Sequence, residues 1–310
     1  MLSGKRIFRI FPRRPQQKGG AVVTAILVVA LAATTATWLL QRMDHWIESV
    51  ALMREKDQAT ALAHAALDFC RVVLGVDARR SAIDTLDEEW ARILPPLRQG
   101  DKEVSGRIAD LQGRFNLNNL VLAGGVVDKS ALAAYRRLLS ALALPDALAD
   151  ALLRHLAARP EAAAATQAEA SGQSRRRLLL WGDLAGVPGY AGKAMGQLAA
   201  HATVLPGSQA INVNTAGAEV LFAVLPGLDL DAARNLTRQR VGLPFRDVAE
   251  FRRRLGDKAQ LAALVDLTTV SQYFLARVQV SGARSRSQLQ SLLQRQPHLP
   301  QPRILWISNR

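Results

Sequence analysis

The chain has 310 residues, room for one large or two modest domains beyond an anchor and for a sizeable core. Its 40 lysines and arginines against 26 aspartates and glutamates give a net charge of +14. Six of those positive charges lie in the first 18 residues, so a chain beginning at Gly20 would carry +8. The single cysteine, Cys70, excludes an internal disulfide and any multi-cysteine zinc site, and is compatible with either side of a membrane.

The N-terminal stretch carries Lys5, Arg6, Arg9, Arg13, Arg14 and Lys18 and no acid, and an uncharged run follows it to Leu40. About 20 apolar residues span a bilayer as a helix, and a basic flank keeps its side in the cytoplasm. Ala21, Ile26, Leu27, Val28 and Leu40 belong to this anchor. Gly19 and Gly20 precede the apolar core, whereas a secretory signal places its small residues after it. The stretch therefore fits either a plain single-span anchor or a leader resembling that of a prepilin, cut on the cytoplasmic side so that the helix stays with the mature protein.

From Gly20 one helix is expected to about Leu74, with residues 20–42 apolar all round and residues 43–75 amphipathic. In the second part Ile47, Val50 and Ala51, then Leu62, Ala66, Phe69 and Val73, recur at three- and four-residue steps. At about 1.5 Å per residue such a helix reaches roughly 80 Å, so its excess over a bilayer must pack on a domain outside. Gly75 and the polar stretch to Asp87 are expected to end it. Trp90 then plugs onto the core ahead of an irregular Pro95-Pro96 segment, and Val104 to Leu111 forms a strand. Arg114-Phe115-Asn116-Leu117-Asn118-Asn119-Leu120 follows, where the asparagines are expected to build turns and caps rather than to catalyse.

Residues 130–159 read as alanine-rich helix with a break at Pro145-Asp146, and residues 160–173 as a low-complexity loop. Gly182, Gly186, Gly189 and Gly192 lack the spacing of a phosphate loop and mark turns. In Ile211-Asn212-Val213-Asn214-Thr215-Ala216, Asn214 or Thr215 is expected to cap a helix from Ala216 to Leu225. Pro226-Gly227, a helix from Leu230 to about Arg240 and another from Phe245 to Leu255 make residues 211–255 similar to a helix-hairpin-helix module. Such hairpins bind DNA through backbone N–H groups, but Asp229 and Asp231 stand here where phosphate would come. Residues 273–280, 287–294 and 303–308 alternate as three antiparallel strands.

The fold class is therefore α+β: a pilin-like long N-terminal helix packed on a small antiparallel sheet, with a large all-helical domain inserted in the sheet domain. Residues 76–125 and 268–310 form the sheet domain and residues 126–267 the insertion. The five histidines show no paired ligand spacing, no serine sits in a nucleophile elbow, and Glu88-Glu89 reads as solvated, so catalysis is not expected. The competing reading is a membrane-anchored helix-hairpin-helix DNA-binding protein. The arginine runs 175–177 and 252–254 would suit it, although such runs are more often solvated faces.

Leader, long helix, first strand, Arg-Phe-Asn-Leu-Asn-Asn-Leu, helical insertion, Asn-Val-Asn-Thr-Ala and terminal strands, in this order and over nearly the full length, resemble protein K, the large minor pseudopilin of bacterial type II secretion systems. The most specific stretches are residues 20–31, 89–91, 113–120 and 205–216, in which Trp90, Arg114, Phe115, Asn116, Asn118, Asn119, Asn212, Asn214 and Thr215 are structural motif positions. The resemblance implies a non-catalytic subunit cut by prepilin peptidase after Gly19, or after Gly20, and methylated at the new N-terminus. It further implies a single-pass inner-membrane protein with its bulk in the periplasm, served by an inner-membrane assembly platform. At the tip of the pseudopilus it would meet minor pseudopilins I and J, with H beneath them, and support export of folded proteins. Most pilin-like subunits carry glutamate at mature position five; here that position is Thr24. An uncharged residue there leaves a neighbour's buried ammonium without a partner, which fits a subunit at a filament end. Family members bind calcium through an acidic stretch that in this chain reads Arg154-His155-Leu156-Ala157-Ala158-Arg159. Calcium needs about six to eight oxygen ligands, so the site is expected to be lost around Arg154, Ala157 and Arg159, leaving no cofactor or metal.

Overall fold

The computed structural model describes residues 18–92, 96–122, 125–157, 177–256, 258 and 265–309. The chain divides between Asp57 and Gln58 into two compact units. Helix α1 (Lys18–Arg80) provides all of the first unit that is described and opens the second.

In the first unit residues 20–40 of the helix are apolar and exposed: Ile26, Leu27, Val28 and Leu40 are each more than 60% accessible. The threonines of this stretch are satisfied locally. Thr34, Thr35 and Thr37 donate to carbonyls three or four residues back, which lets hydroxyls sit in an apolar helix without unpaired donors.

In the second unit α1 buries Ala59, Ala63, Leu67, Cys70 and Leu74 at three- and four-residue spacing. The helix does not end at Gly75 but runs to Arg80, with Arg79 and Arg80 in its last turn, where positive charge suits the helix dipole. Gly75 serves packing instead: a Cβ there would lie 2.4 Å from the Pro300 carbonyl oxygen. The glycine lets the loop after the eighth strand lie directly on the helix.

A five-stranded antiparallel sheet receives α1, with strands β1 (Leu97–Gln99), β2 (Lys102–Asp110), β7 (Tyr273–Ser281), β8 (Arg286–Gln294) and β9 (Arg303–Asn309) in that spatial order. The three C-terminal segments expected from the sequence each extend by one residue, the first begins two residues earlier and ends one earlier than expected, and β1, hidden behind Pro95-Pro96, adds a short edge. Alternation sends Ile108, Phe274, Ala276, Val278 and Val280 into one core with the α1 stripe. Trp90 closes that core, 2% exposed, with its ring edge-on to Phe274 at 5.2 Å and its Nε1 donating to Glu88 at 2.8 Å.

β2 and β7 are neighbours in space, so residues 111–272 form one excursion from the sheet. It contains α2 (Lys129–Ala141), α3 (Ala147–Ala157), α4 (Gly192–Leu198), α5 (Ala218–Val224), α6 (Leu230–Gln239) and α7 (Val248–Leu255). It also holds two strand pairs that the sequence did not suggest: β3 (Phe115–Asn116) runs parallel to β4 (Ala202–Thr203), and β5 (Ile211–Asn212) parallel to β6 (Leu267–Thr268). These helices surround a second core that includes Tyr135, Leu138, Leu152, Val220, Phe245 and Phe251. The low-complexity stretch 160–173 lies wholly outside the described residues.

Candidate functional site

Two regions carry the positions singled out by sequence: the start of α1 and the polar junction beneath the helical excursion. At the start of α1, Gly19 and Gly20 are already helical. The Thr24 hydroxyl donates to the carbonyls of Gly20 and Ala21 at 3.1 and 3.0 Å, so it closes on its own turn. No acid occurs between Lys18 and Met43. The apolar half is long enough to cross a membrane, with mean hydropathy 2.1.

The asparagines form the junction. Asn118 donates to the carbonyls of Leu178 and Leu205, each at 2.9 Å, and accepts from the Leu178 amide. Asn116 accepts from the Leu205 amide and donates to Gly207, while Asn119 exchanges two bonds with Gln209. Three side chains thus substitute for a strand along residues 205–209. Asn214 does the same at Phe245, donating to its carbonyl at 2.8 Å and accepting from its amide at 2.9 Å. Phe115 stacks on Tyr135 with centroids 5.7 Å apart, and Arg114 donates to the Ala199 carbonyl at 2.9 Å.

Thr215 does not cap a helix. α5 begins two residues later than expected with Gly217 as its N-cap, and Thr215 instead donates to the buried carboxylate of Asp110 at 2.5 Å. Ser271 donates to the same oxygen at 2.6 Å, and the Gln112 amide to the other at 2.8 Å. Asn212 joins this cluster through Ser271 at 2.8 Å. Gly113 is enclosed here: a Cβ would stand 2.6 Å from the Thr215 hydroxyl. Burial pushes the Asp110 carboxyl up to about 6 against the pull of its donors. Nothing in its strand context marks Asp110 from sequence.

A second cluster that sequence reading missed holds the end of α1. Asp77, Asp84 and Glu88 bring carboxylate oxygens within 4.8 Å of one another. Arg295 answers them, with Nη1 2.6 Å from Asp84 and Nη2 2.9 Å from Asp77, its guanidinium 4.7 Å over the Phe274 ring. Burial, then the charge of Glu88, pushes Asp77 up to about 6, and Arg295 opposes them. Burial raises Asp84 as well. The arrangement suits an internal ion-pair clamp.

In the hairpin between α5 and α6, Gly227 has φ of 87°, a left-handed conformation that favours glycine. Asp229 accepts from the Ala232 amide at 2.7 Å and lies 3.1 Å from the Lys258 ammonium. The Asp229 carboxylate thus takes one of the free amides at the N-terminus of α6 and places a negative charge where a phosphate would come. At the end of α3, Arg154 and Ala157 are exposed and carry no side-chain oxygen. Arg159 lies outside the described residues.

Two family models of type II secretion system protein K match the chain, over residues 113–207 and 211–272, and between them cover half of it. The type II secretion system protein K of Pseudomonas aeruginosa is 29% identical over 307 residues, covering 91% of this chain and 90% of that protein. The crystal structure of the GspK-GspI-GspJ complex from the enterotoxigenic Escherichia coli type 2 secretion system has a similar fold. Its TM-score is 0.67 at 22% identity, covering 83% of this chain and 98% of that one. The matched segments begin and end at the asparagine junction built above, the relative extends the match over nearly the full length, and on this basis the chain belongs to the type II secretion system protein K family.

Proposed function

We propose that this chain is a non-catalytic minor pseudopilin that caps the pseudopilus beside pseudopilins I and J, with H beneath them, and supports export of folded proteins. The observation that carries the reading is a second apolar stripe on α1. Opposite the residues buried on the sheet, Ala61, Ala65, Phe69 and Val72 are exposed, with Phe69 58% accessible. A helix apolar on two faces buries the second against another helix, and the steps of four, four and three residues suit side-by-side packing. The GspK relative in the solved complex assembles with GspI and GspJ. Co-expression of the full chain with I and J, followed by affinity purification from detergent, tests the assignment. Phe69→Ala with Val72→Ala should lower recovery of I and J several-fold while the chain stays folded; unchanged recovery would remove the stripe from the interface.

In this reading prepilin peptidase cuts after Gly19, or one residue later. The segment from Ala21 to Leu40 anchors the protein in the inner membrane with its bulk in the periplasm, and the assembly platform then draws it into the filament. The uncharged Thr24 suits a subunit at the end of a filament. The chain works without the calcium of its family at the end of α3. Calorimetric titration of the full chain should show no tight calcium binding, and a tight site lost on changing residues 154–175 would refute this.

A further inference from the structure

The turn between α6 and α7 holds apolar side chains out into solvent. Val241 is 70% and Leu243 64% exposed, while the core takes Phe245, two residues on. Gly242, between them, has φ of 73°, and a Cβ there would meet nothing within 4 Å, so the apex is open. Its amide lies 3.4 Å from the carboxylate of Asp87, whose chain neighbour Leu86 is a third exposed apolar residue. The backbone of the turn is nonetheless tied down. The Val241 and Leu243 amides donate to the Arg238 and Arg240 carbonyls, and Arg254 donates to the Leu243 carbonyl at 2.9 Å. Arg240 is buried beneath, donating to the carbonyls of Val213 and Ala216 at 2.7 and 2.6 Å. Val241 and Leu243 are therefore presented on a fixed frame.

The base of the turn is basic, and it stays so when its acids are included. Residues 229–258 carry eight basic and five acidic residues, and Asp87 adds a sixth acid. Asp229 and Asp231 stand at the other end of α6. Near the turn, Glu250 is shared by Arg246 at 3.2 Å and Arg254 at 2.5 Å, so two cations answer one acid. Asp247 caps α7, accepting from the Glu250 amide at 2.6 Å, and Asp87 favours the charge on the buried Arg240. Arg238, in the last turn of α6, is exposed and bonds the uncharged Asn235.

We propose that this turn is a membrane-docking tip, setting Val241, Leu243 and Leu86 into the surface of an anionic phospholipid bilayer while the arginines at its base lie against the headgroups. Three side chains on a convex turn fall far short of the roughly 800 Å² per partner that a specific protein interface buries. A lipid surface asks less: apolar tips that pass the headgroups, and cations that meet the phosphates. A phosphate polymer such as duplex DNA would use the arginines and leave the apolar apex without a role. The tip would serve an unassembled chain as well as one at a filament end.

The test holds the full chain in nanodiscs of zwitterionic lipid and adds sucrose-loaded vesicles, either phosphatidylcholine mixed with phosphatidylglycerol or phosphatidylcholine alone, with cosedimentation as readout. The mixed vesicles should capture the parent chain, less as salt rises, and phosphatidylcholine alone should capture it several-fold less. Val241→Ser with Leu243→Ser should weaken capture about tenfold or more, and Leu179→Ser with Leu180→Ser, an exposed apolar pair elsewhere, less than about twofold. Arg246→Gln should weaken it by a smaller factor, about twofold. No capture of the parent chain, equal capture by both kinds of vesicle, or equal losses in the two serine pairs would overturn the proposal. Unchanged capture of the Val241→Ser and Leu243→Ser chain, with lowered recovery of pseudopilins I and J, would reassign the turn to a protein partner and overturn it as well.

Discussion

Asp110 is a buried carboxylate with four donors, the Gln112 amide, Thr215, Ser271 and, at 3.3 Å, Asn212, and no ion-pair partner among the described residues; it ties β2 to both ends of the helical excursion. Its carboxyl is pushed from 3.8 up to about 6. Between those values the folded chain holds a proton that the unfolded chain has released, so this group favours folding most at low pH and its contribution falls as pH rises through that window. Asp77, also raised to about 6, acts with the same sign. In urea titrations across pH 4 to 7, Asp110→Asn should flatten the part of the slope due to Asp110 and leave that of Asp77, because the Thr215 and Ser271 hydroxyls can turn to accept from the amide. Asp110→Ala strands those hydroxyls and should cost about 2–4 kcal/mol. An unchanged slope in Asp110→Asn would show that Asp110 is not the titrating group. None of this was legible in sequence, since Thr215 and Ser271 stand 105 and 161 residues away. The asparagines were legible as turn-builders because part of their chemistry is local, as when Asn116 accepts from the Asn118 amide. Thr215 read as a helix cap for the same local reason, and a distant carboxylate claimed it.

Among the elements, the anchor could be read from its long uncharged apolar run, and β2 and the three C-terminal strands from their alternation. The end of α1 could not. Gly75 looks like a terminator until the Pro300 carbonyl is seen against it, and the helix continues to a clamp whose cation comes from the end of β8. That clamp should matter strongly. Arg295 is 12% exposed, and removing one partner of a buried ion pair leaves uncompensated charge. Arg295→Ala should lose about 3–5 kcal/mol in urea unfolding, and Arg295→Lys, which keeps the charge but cannot bridge Asp77 and Asp84 as a fork, should lose less. A loss below about 1 kcal/mol in Arg295→Ala would show that the three acids are neutralised in some other way.

At the scale of the whole molecule, strands before and after a helical run suggested an insertion at residues 126–267, and the pairing of β2 with β7 makes residues 111–272 the excursion between neighbouring strands. The small parallel pairs β3–β4 and β5–β6 that brace its ends are two residues long, too short for any period to reveal. Residues 113–207 and 211–272 match the protein K family models, and far ahead of them stand a basic N-terminal stretch, two glycines before an apolar helix and the uncharged Thr24. The central claim is that α1 begins as a processed N-terminus rather than as the interior of an uncut anchor. Mass spectrometry of the full chain expressed with and without prepilin peptidase tests it most directly. The account predicts loss of residues 1–19 and a methylated Gly20 only when the peptidase is present; an intact leader in both samples would contradict it.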